Sequence, residues 1–129
     1  MVEAVVWFHR AAPHARELLP DPLAGRVALP LTAAALVAYH RGPVGAYAEV
    51  LASPVVLAGG AGHVPFIAVD SPASVAGGRA NWALPKVLAD FDGEVGGPGR
   101  VEVHGDGWAL TVTTRARPRR LPLLGAARW

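Results

Sequence analysis

Two residues could do covalent or proton-transfer chemistry because of where they stand. Lys86 sits in "ALPKVL" and is the only lysine among the twelve Lys and Arg residues. An amine attacks a carbonyl carbon only through a free lone pair, which the ammonium form lacks. Burial among apolar groups, or a nearby cation, lowers a lysine's pKa and frees that pair. The neighbours Leu84, Val87 and Leu88 are apolar, and Pro85 stiffens the backbone beside them. Arginine could replace lysine at any surface position but cannot form an imine. A chain that uses arginine everywhere else therefore either keeps this lysine for amine chemistry or carries one stray surface lysine. Composition alone does not separate the two. Glu49 is the second such residue, the only formally charged side chain between Gly42 and Val69. At strand period Tyr47, Glu49 and Leu51 share one face of "AYAEVL". A lone carboxylate there either meets solvent, which the strand alone favours, or sits in a pocket and needs a partner.

Other chemistry-bearing residues form weaker patterns. His9, His14, His40, His63 and His104 show no metal-ligand spacing and read as surface or hydrogen-bonded side chains. Ser71 and Ser74, in "SPAS", lack the flanking glycines of a nucleophile elbow. "GGAG" and "GGPG" read as hairpin turns rather than phosphate loops. Trp7, Trp82, Trp108 and Trp129 read as core or edge aromatics. There is no cysteine, so disulfides and thiolate metal sites are excluded.

The elements that must position Lys86 and Glu49 are mostly strands. "EAVVWF" is a short apolar strand. "APHARELL" gives one or two helical turns, stopped by "PDPLAG". "RVALPLTAAALVAY" is extended and broken by Pro30, although its alanines also fit a helix. "AYAEVLASPVVLA" alternates as a strand, with Pro54 marking a bulge or an edge. "HVPFIAVD" is the next strand. The period then changes in "SPASVAGGRANWALP". Ser71 suits an N-cap and Pro72 the first helical position. Val75, Gly78, Arg79 and Trp82 fall on one side of that helix. Gly77 and Gly78 each cost about 1 kcal/mol of helix stability relative to alanine, so the pair suggests close approach of another element. Pro85 ends the helix. "VLADFDGEV", "GRVEVHG" and "GWALTVTTRAR" read as an antiparallel meander with turns at "GGPG" and "HGDG".

The chain of 129 residues fits one domain with a real core. Its 52% apolar and 17% charged residues exclude a disordered chain. "MVEAVVWFHR" lacks the features of a signal peptide, and "VALPLTAAALVAY" is too short to span a bilayer. The expected setting is the cytoplasm, with no membrane partner. "TTRARPRRLPLLGAARW" carries five arginines and no acid, but no nucleic-acid motif or row of aromatics accompanies it. A solvated edge or tail is expected there, and no nucleic-acid partner. The expected fold class is mainly β (α+β), mostly antiparallel, with one clear helix before the Pro-Lys loop.

Taken together, "GAYAEV" and "HVPFIAVDSPASVAGGRANWALPKVL" resemble the acetoacetate decarboxylase family. The matching pieces are Tyr47-Ala48-Glu49, Asp70, Gly78-Arg79 and Pro85-Lys86, with "ELLPDPLAG" matching the family's early helix and turn. The likeness covers about residues 5 to 95. It implies that Lys86 is a Schiff-base lysine and Glu49 an active-site carboxylate, with Tyr47, Arg79, Leu84 and Trp82 contacting substrate. It also implies a cone-like antiparallel β-barrel, a homo-oligomer, a small keto acid as substrate, and no metal or organic cofactor. Acetoacetate decarboxylase is itself the standard illustration of an activated lysine, so that mechanism comes with the family. The activity implied is decarboxylation of a β-keto acid. Aldolase, dehydratase or cyclase chemistry on a 2-keto acid such as pyruvate runs through the same imine. A non-catalytic binding or assembly module of the same fold is the third reading. Three departures stand out. Val87 replaces the family's second lysine, so activation of Lys86 would rest on desolvation alone. Ala80 replaces the glutamate of the family's Gly-Arg-Glu triplet, so Arg79 needs another partner. The family's decarboxylases are nearly twice as long, with an earlier segment bearing an active-site arginine and a second half of the barrel. The single domain expected over residues 1–129 would then be an incomplete one.

Overall fold

The computed structural model describes residues 1–115. Most of the arginine-rich segment, and Trp129 with it, lies outside the described residues. Strands dominate. β1 (Val2–Arg10) is followed by a 3-10 turn (Ala15–Leu18) and a short helix, α1 (Asp21–Ala24). Next come β2 (Ala28–Leu29), β3 (Leu31–Tyr39), β4 (Tyr47–Ser53), β5 (Val56–Leu57) and β6 (Phe66–Val69). The long helix α2 (Pro72–Trp82) leads into β7 (Lys86–Leu88), β8 (Asp90–Asp92), β9 (Gly99–Gly105) and β10 (Trp108–Thr114). Among the described residues no helix is long and apolar enough to cross a membrane.

The strands form a five-stranded sheet in the order β1-β3-β4-β6-β7, a three-stranded sheet β8-β9-β10, and the small pair β2-β5. Prolines decide several boundaries. Pro30 separates β2 from β3, as the sequence suggests. Pro54 does more than bulge a strand: β4 stops at Ser53, and the chain leaves to form β5, which pairs with β2. "PDPLAG" does not end the helical region either. Pro20 is the N-cap and Pro22 sits in the first turn of α1, where a missing N–H costs nothing.

The meander is present as β8-β9-β10, but its expected first strand divides at Ala89. β7 instead joins the larger sheet, parallel to β6, after α2 has carried the chain across. Every other pairing is antiparallel. The mainly β, antiparallel class is therefore as expected, while the sheets do not close into a barrel among the described residues. Closure requires the first and last strands to hydrogen-bond, whereas β1 and β7 are the two edges of the five-stranded sheet.

Register assigns the two faces of the large sheet. Leu36, Val50 and Ala68 point to one side and pack with Val101, Val103 and Val112 of the smaller sheet as the main core. Phe66 and Trp108 meet edge to face there at 5.1 Å. Glu49 pairs with Val37 and Val69, and Lys86 with Ile67, so both functional candidates lie on the opposite side. That side carries α2 over its β6–β7 end. Toward β1 it leaves an apolar row open, with Val6 44% and Phe8 62% exposed.

Candidate active site

Glu49 lies mid-way along β4, and Lys86 opens β7 with β6 between them. Two strand spacings amount to roughly 10 Å, which the four-carbon stem of lysine helps to span. The stem needs room beneath α2, and Gly78 supplies it. A Cβ at that position would stand 2.7 Å from Lys86 Cδ and 3.0 Å from Cε. Of the glycine pair, Gly78 marks a close approach, of the lysine side chain to the helix, whereas a Cβ at Gly77 would meet nothing nearer than Asn81 at 4.0 Å. Ser71 caps α2 as expected, its Oγ accepting from the Ser74 N–H at 3.2 Å, with Pro72 at the helix start. That cap fixes the first turn and aims Ser74 inward.

The backbone of Lys86 is also held. Its N–H donates to Leu84 O at 2.8 Å, and its carbonyl accepts from Arg79 Nε at 2.9 Å. The helix ends at Ala83 in the left-handed region, at φ 51°. A non-glycine residue is uncommon there, and strain of this kind costs of order 1–3 kcal/mol. On the other side, Asp70 Oδ1 accepts from the Ala48 N–H at 2.8 Å and ties the end of β6 to β4 beside Glu49.

These supports converge on one amine. Lys86 Nζ donates to Glu49 Oε2 at 2.7 Å and to Ser74 Oγ at 3.0 Å. It also lies 5.3 Å from the centre of the Tyr47 ring, within reach of a cation–π contact. Lys86, Glu49 and Ser74 are only 6%, 5% and 4% exposed. The solvent position that the strand pattern favoured for Glu49 is not what is found. β4 runs between β3 and β6 with both its faces covered, so alternation alone could not reveal the burial. Burying two charges costs several kcal/mol per ion before their attraction is counted, so such a pair is weak evidence of a purely structural role.

Tyr39 faces Tyr47 across β3 and β4, the rings stacked at 4.5 Å. Burial, then the Glu49 carboxylate, then Tyr47 push the Tyr39 hydroxyl well above the usual phenol range. The phenol therefore stays neutral in the fold when the unfolded chain already ionises it. Stability is whole below about pH 10, the unfolded value, and falls as the pH rises above it. Tyr39→Phe is expected to reduce this alkaline loss, as read from urea midpoints at neutral pH and above pH 10.

Gly78→Ala gives a second expectation. The added methyl gains about 1 kcal/mol of helix propensity and costs about 1–3 kcal/mol of overpacking. Because the lysine stem can swing aside, the fold should lose no more than about 2 kcal/mol. The amine, however, must leave its place beside Glu49. Denaturation curves and the reactivity of the sole lysine toward an amine-modifying reagent check the two parts separately.

Of the residues singled out from sequence, Lys86, Glu49 and Tyr47 meet. Arg79, deprived of a glutamate neighbour by Ala80, binds the Lys86 carbonyl instead. Leu84 is half-buried in the turn before Lys86, and Trp82 is 61% exposed at the end of α2. Ser74 and Tyr39 were missed. Ser74 and Gly78, one turn apart, are the buried residues of α2; of the expected stripe of Val75, Gly78, Arg79 and Trp82, only Gly78 is among them. Neither is hydrophobic, so an apolar pattern could not mark them. The N-cap at Ser71 was the usable signal, since it places Ser74 in the first turn. Among the described residues there is no group of three His, Asp or Glu able to hold a metal ion. A surface concavity of about 600 Å³, bordered by Arg10, Arg16, Pro30 and Val55, is lined by none of these site residues.

The family model described as acetoacetate decarboxylase (ADC) matches residues 1–121. The chain belongs to the acetoacetate decarboxylase family. Two solved structures share its fold. Against a structure from structural studies of acetoacetate decarboxylase, the TM-score is 0.65 at 21% identity, over 85% of this chain and 47% of that one. Against the acetoacetate decarboxylase from Legionella pneumophila, it is 0.67 at 19% identity, over 92% of this chain and 50% of that one. The chain thus spans about half the length of these acetoacetate decarboxylase structures. No curated protein matches it.

Proposed function

We propose that the protein is a cofactor-independent Schiff-base enzyme that decarboxylates a β-keto acid, with Lys86 as the nucleophile. The observation that carries this reading is the buried Lys86 amine, hydrogen-bonded to Glu49 at 2.7 Å. Family membership supports the reaction class and a keto acid as substrate. The chemistry balances without a cofactor. Glu49 takes a proton from the Lys86 ammonium, and the freed amine adds to the ketone carbon to give a carbinolamine. Glu49 returns the proton to the departing hydroxyl, and water leaves a protonated imine. That imine accepts the electrons of the breaking carbon–carbon bond as CO2 departs, giving an enamine. Protonation at carbon and hydrolysis release the ketone and regenerate the amine.

Tyr47, Arg79, Leu84 and Trp82 are the proposed substrate contacts. The chain is proposed to act as one acetoacetate decarboxylase-like domain in the cytoplasm and to assemble as a homo-oligomer. The open apolar row at Val6 and Phe8 favours assembly, since it lies on the sheet face that carries the Lys86–Glu49 pair. Exposed apolar patches of this kind commonly mark interaction surfaces.

Incubation with acetoacetate or pyruvate, with CO2 measured and borohydride added, tests the reading. CO2 release from acetoacetate together with a reduced adduct is the expected result. An adduct from pyruvate without CO2 would move the protein to the 2-keto acid branch. No adduct with either acid would leave a non-catalytic module of this fold.

A further inference from the structure

We infer that Ser74 relays a proton between the Lys86 nitrogen and the substrate oxygen during imine formation and hydrolysis. This rests on the Schiff-base reading of Lys86. The starting observation is a count of hydrogens. In the resting site Lys86 Nζ donates to two acceptors, Glu49 Oε2 at 2.7 Å and Ser74 Oγ at 3.0 Å. A protonated imine keeps a single N–H, so one of those partners must lose its bond when the imine forms. The cation is held more strongly by the carboxylate, because a hydrogen bond between charged groups is roughly twice as strong as a neutral one. Ser74 is therefore the partner released.

A released serine hydroxyl is useful there. Ser74 is 4% exposed, and its Oγ has Lys86 Nζ as its hydrogen-bond partner. Glu49 can donate only after it has taken a proton, whereas a hydroxyl accepts and donates at the same moment. When the neutral amine adds to the carbonyl, the nitrogen carries two hydrogens and a positive charge and the oxygen becomes negative. One proton passes from Nζ to Ser74 Oγ while the Ser74 proton passes to the carbinolamine oxygen. Nitrogen loses one hydrogen, oxygen gains one, and Ser74 ends as it began. Hydrolysis runs the same transfer backwards. The carbon–carbon cleavage between them moves no proton at nitrogen and needs nothing from Ser74.

The position is fixed by elements already described. The Ser71 cap holds the Ser74 backbone at 3.2 Å, and Gly78, one turn on, lets the lysine stem lie against the helix. The hydroxyl can therefore pivot about Cβ while its backbone stays in place.

The test compares the parent protein with Ser74→Ala and Ser74→Thr, using acetone as a carbonyl probe that forms a reducible imine and has no carboxylate to lose. Borohydride quenching at timed intervals, followed by peptide mapping, reads the rate of adduct formation on Lys86. Ser74→Ala is expected to slow the adduct at least about 10²-fold, the lower end of general acid–base effects. Its final yield at saturating probe should stay within about twofold of the parent. Ser74→Thr, which keeps the hydroxyl, should recover most of the rate. With acetoacetate, kcat should fall only as far as imine formation or hydrolysis limits turnover. Circular dichroism of both variants reports folding, and if Ser74→Ala fails to fold, Ser74→Thr and Ser74→Cys carry the comparison, the thiol being a poor relay. An adduct forming at the parent rate in the variant without a hydroxyl would overturn the relay. An adduct absent even in the parent would instead overturn the Schiff-base reading.

Discussion

Glu49→Leu is expected to destabilise the fold by about 3–5 kcal/mol at neutral pH, because it leaves the Lys86 charge buried without its carboxylate. Against the 5–15 kcal/mol that usually holds a domain together, such a loss brings the protein close to unfolding. Ser74 would remain as an acceptor, but one neutral hydroxyl cannot replace a charged partner at 2.7 Å. The double variant Glu49→Leu, Lys86→Met should recover most of the loss, since removing both members of a buried pair is often neutral or stabilising. Urea denaturation of the parent, both single variants and the double variant gives the coupling directly. A single Glu49→Leu variant within about 1 kcal/mol of the parent would mean that the pair is not charged and dry as described.

Lys86→Met should abolish decarboxylation in a protein that still folds but is less stable, since it too breaks the buried pair. Methionine is unbranched and apolar, and it fits the channel beside Gly78 that the lysine stem occupies. Glu49 loses a partner, yet a buried carboxyl can take up a proton and remain neutral. The reaction, by contrast, loses its nucleophile, because no other side chain in the protein carries an amine. Turnover of acetoacetate is expected to fall at least about 10³-fold, a small share of the accelerations enzymes commonly reach. Initial rates of CO2 release, set beside a thermal melt of the same variant, check both halves.

Much of this site was legible in the sequence, for identifiable reasons. Lys86 was visible because every other cationic side chain is arginine, and α2 because Ser71 and Pro72 give a start signal that little else mimics. Pro30 marked a true strand boundary. The burial of Glu49 was not legible, since period-two alternation assumes one wet face and β4 has none. The parallel pairing of β7 with β6 was hidden as well. "VLADFDGEV" alternates and turns like part of a meander, and only the crossover through α2 carries its first residues to the other sheet. Ser74 escaped because a small polar residue carries no hydrophobic signal. Its importance comes from what α2 is laid against, which is tertiary information. The resemblance to acetoacetate decarboxylases implies an active-site carboxylate at Glu49 where the strand pattern points to solvent, and Glu49 lies buried at 2.7 Å from the Lys86 amine.

The most direct test of the central claim uses the fact that the protein has one lysine. Acetoacetate is added, the mixture is reduced with borohydride, and the digested protein is mapped by mass spectrometry. The prediction is a reduced isopropyl adduct on the peptide containing Lys86, absent from the Lys86→Met variant and from samples without keto acid. Unmodified Lys86 in folded protein after saturating acetoacetate and reduction would contradict the account.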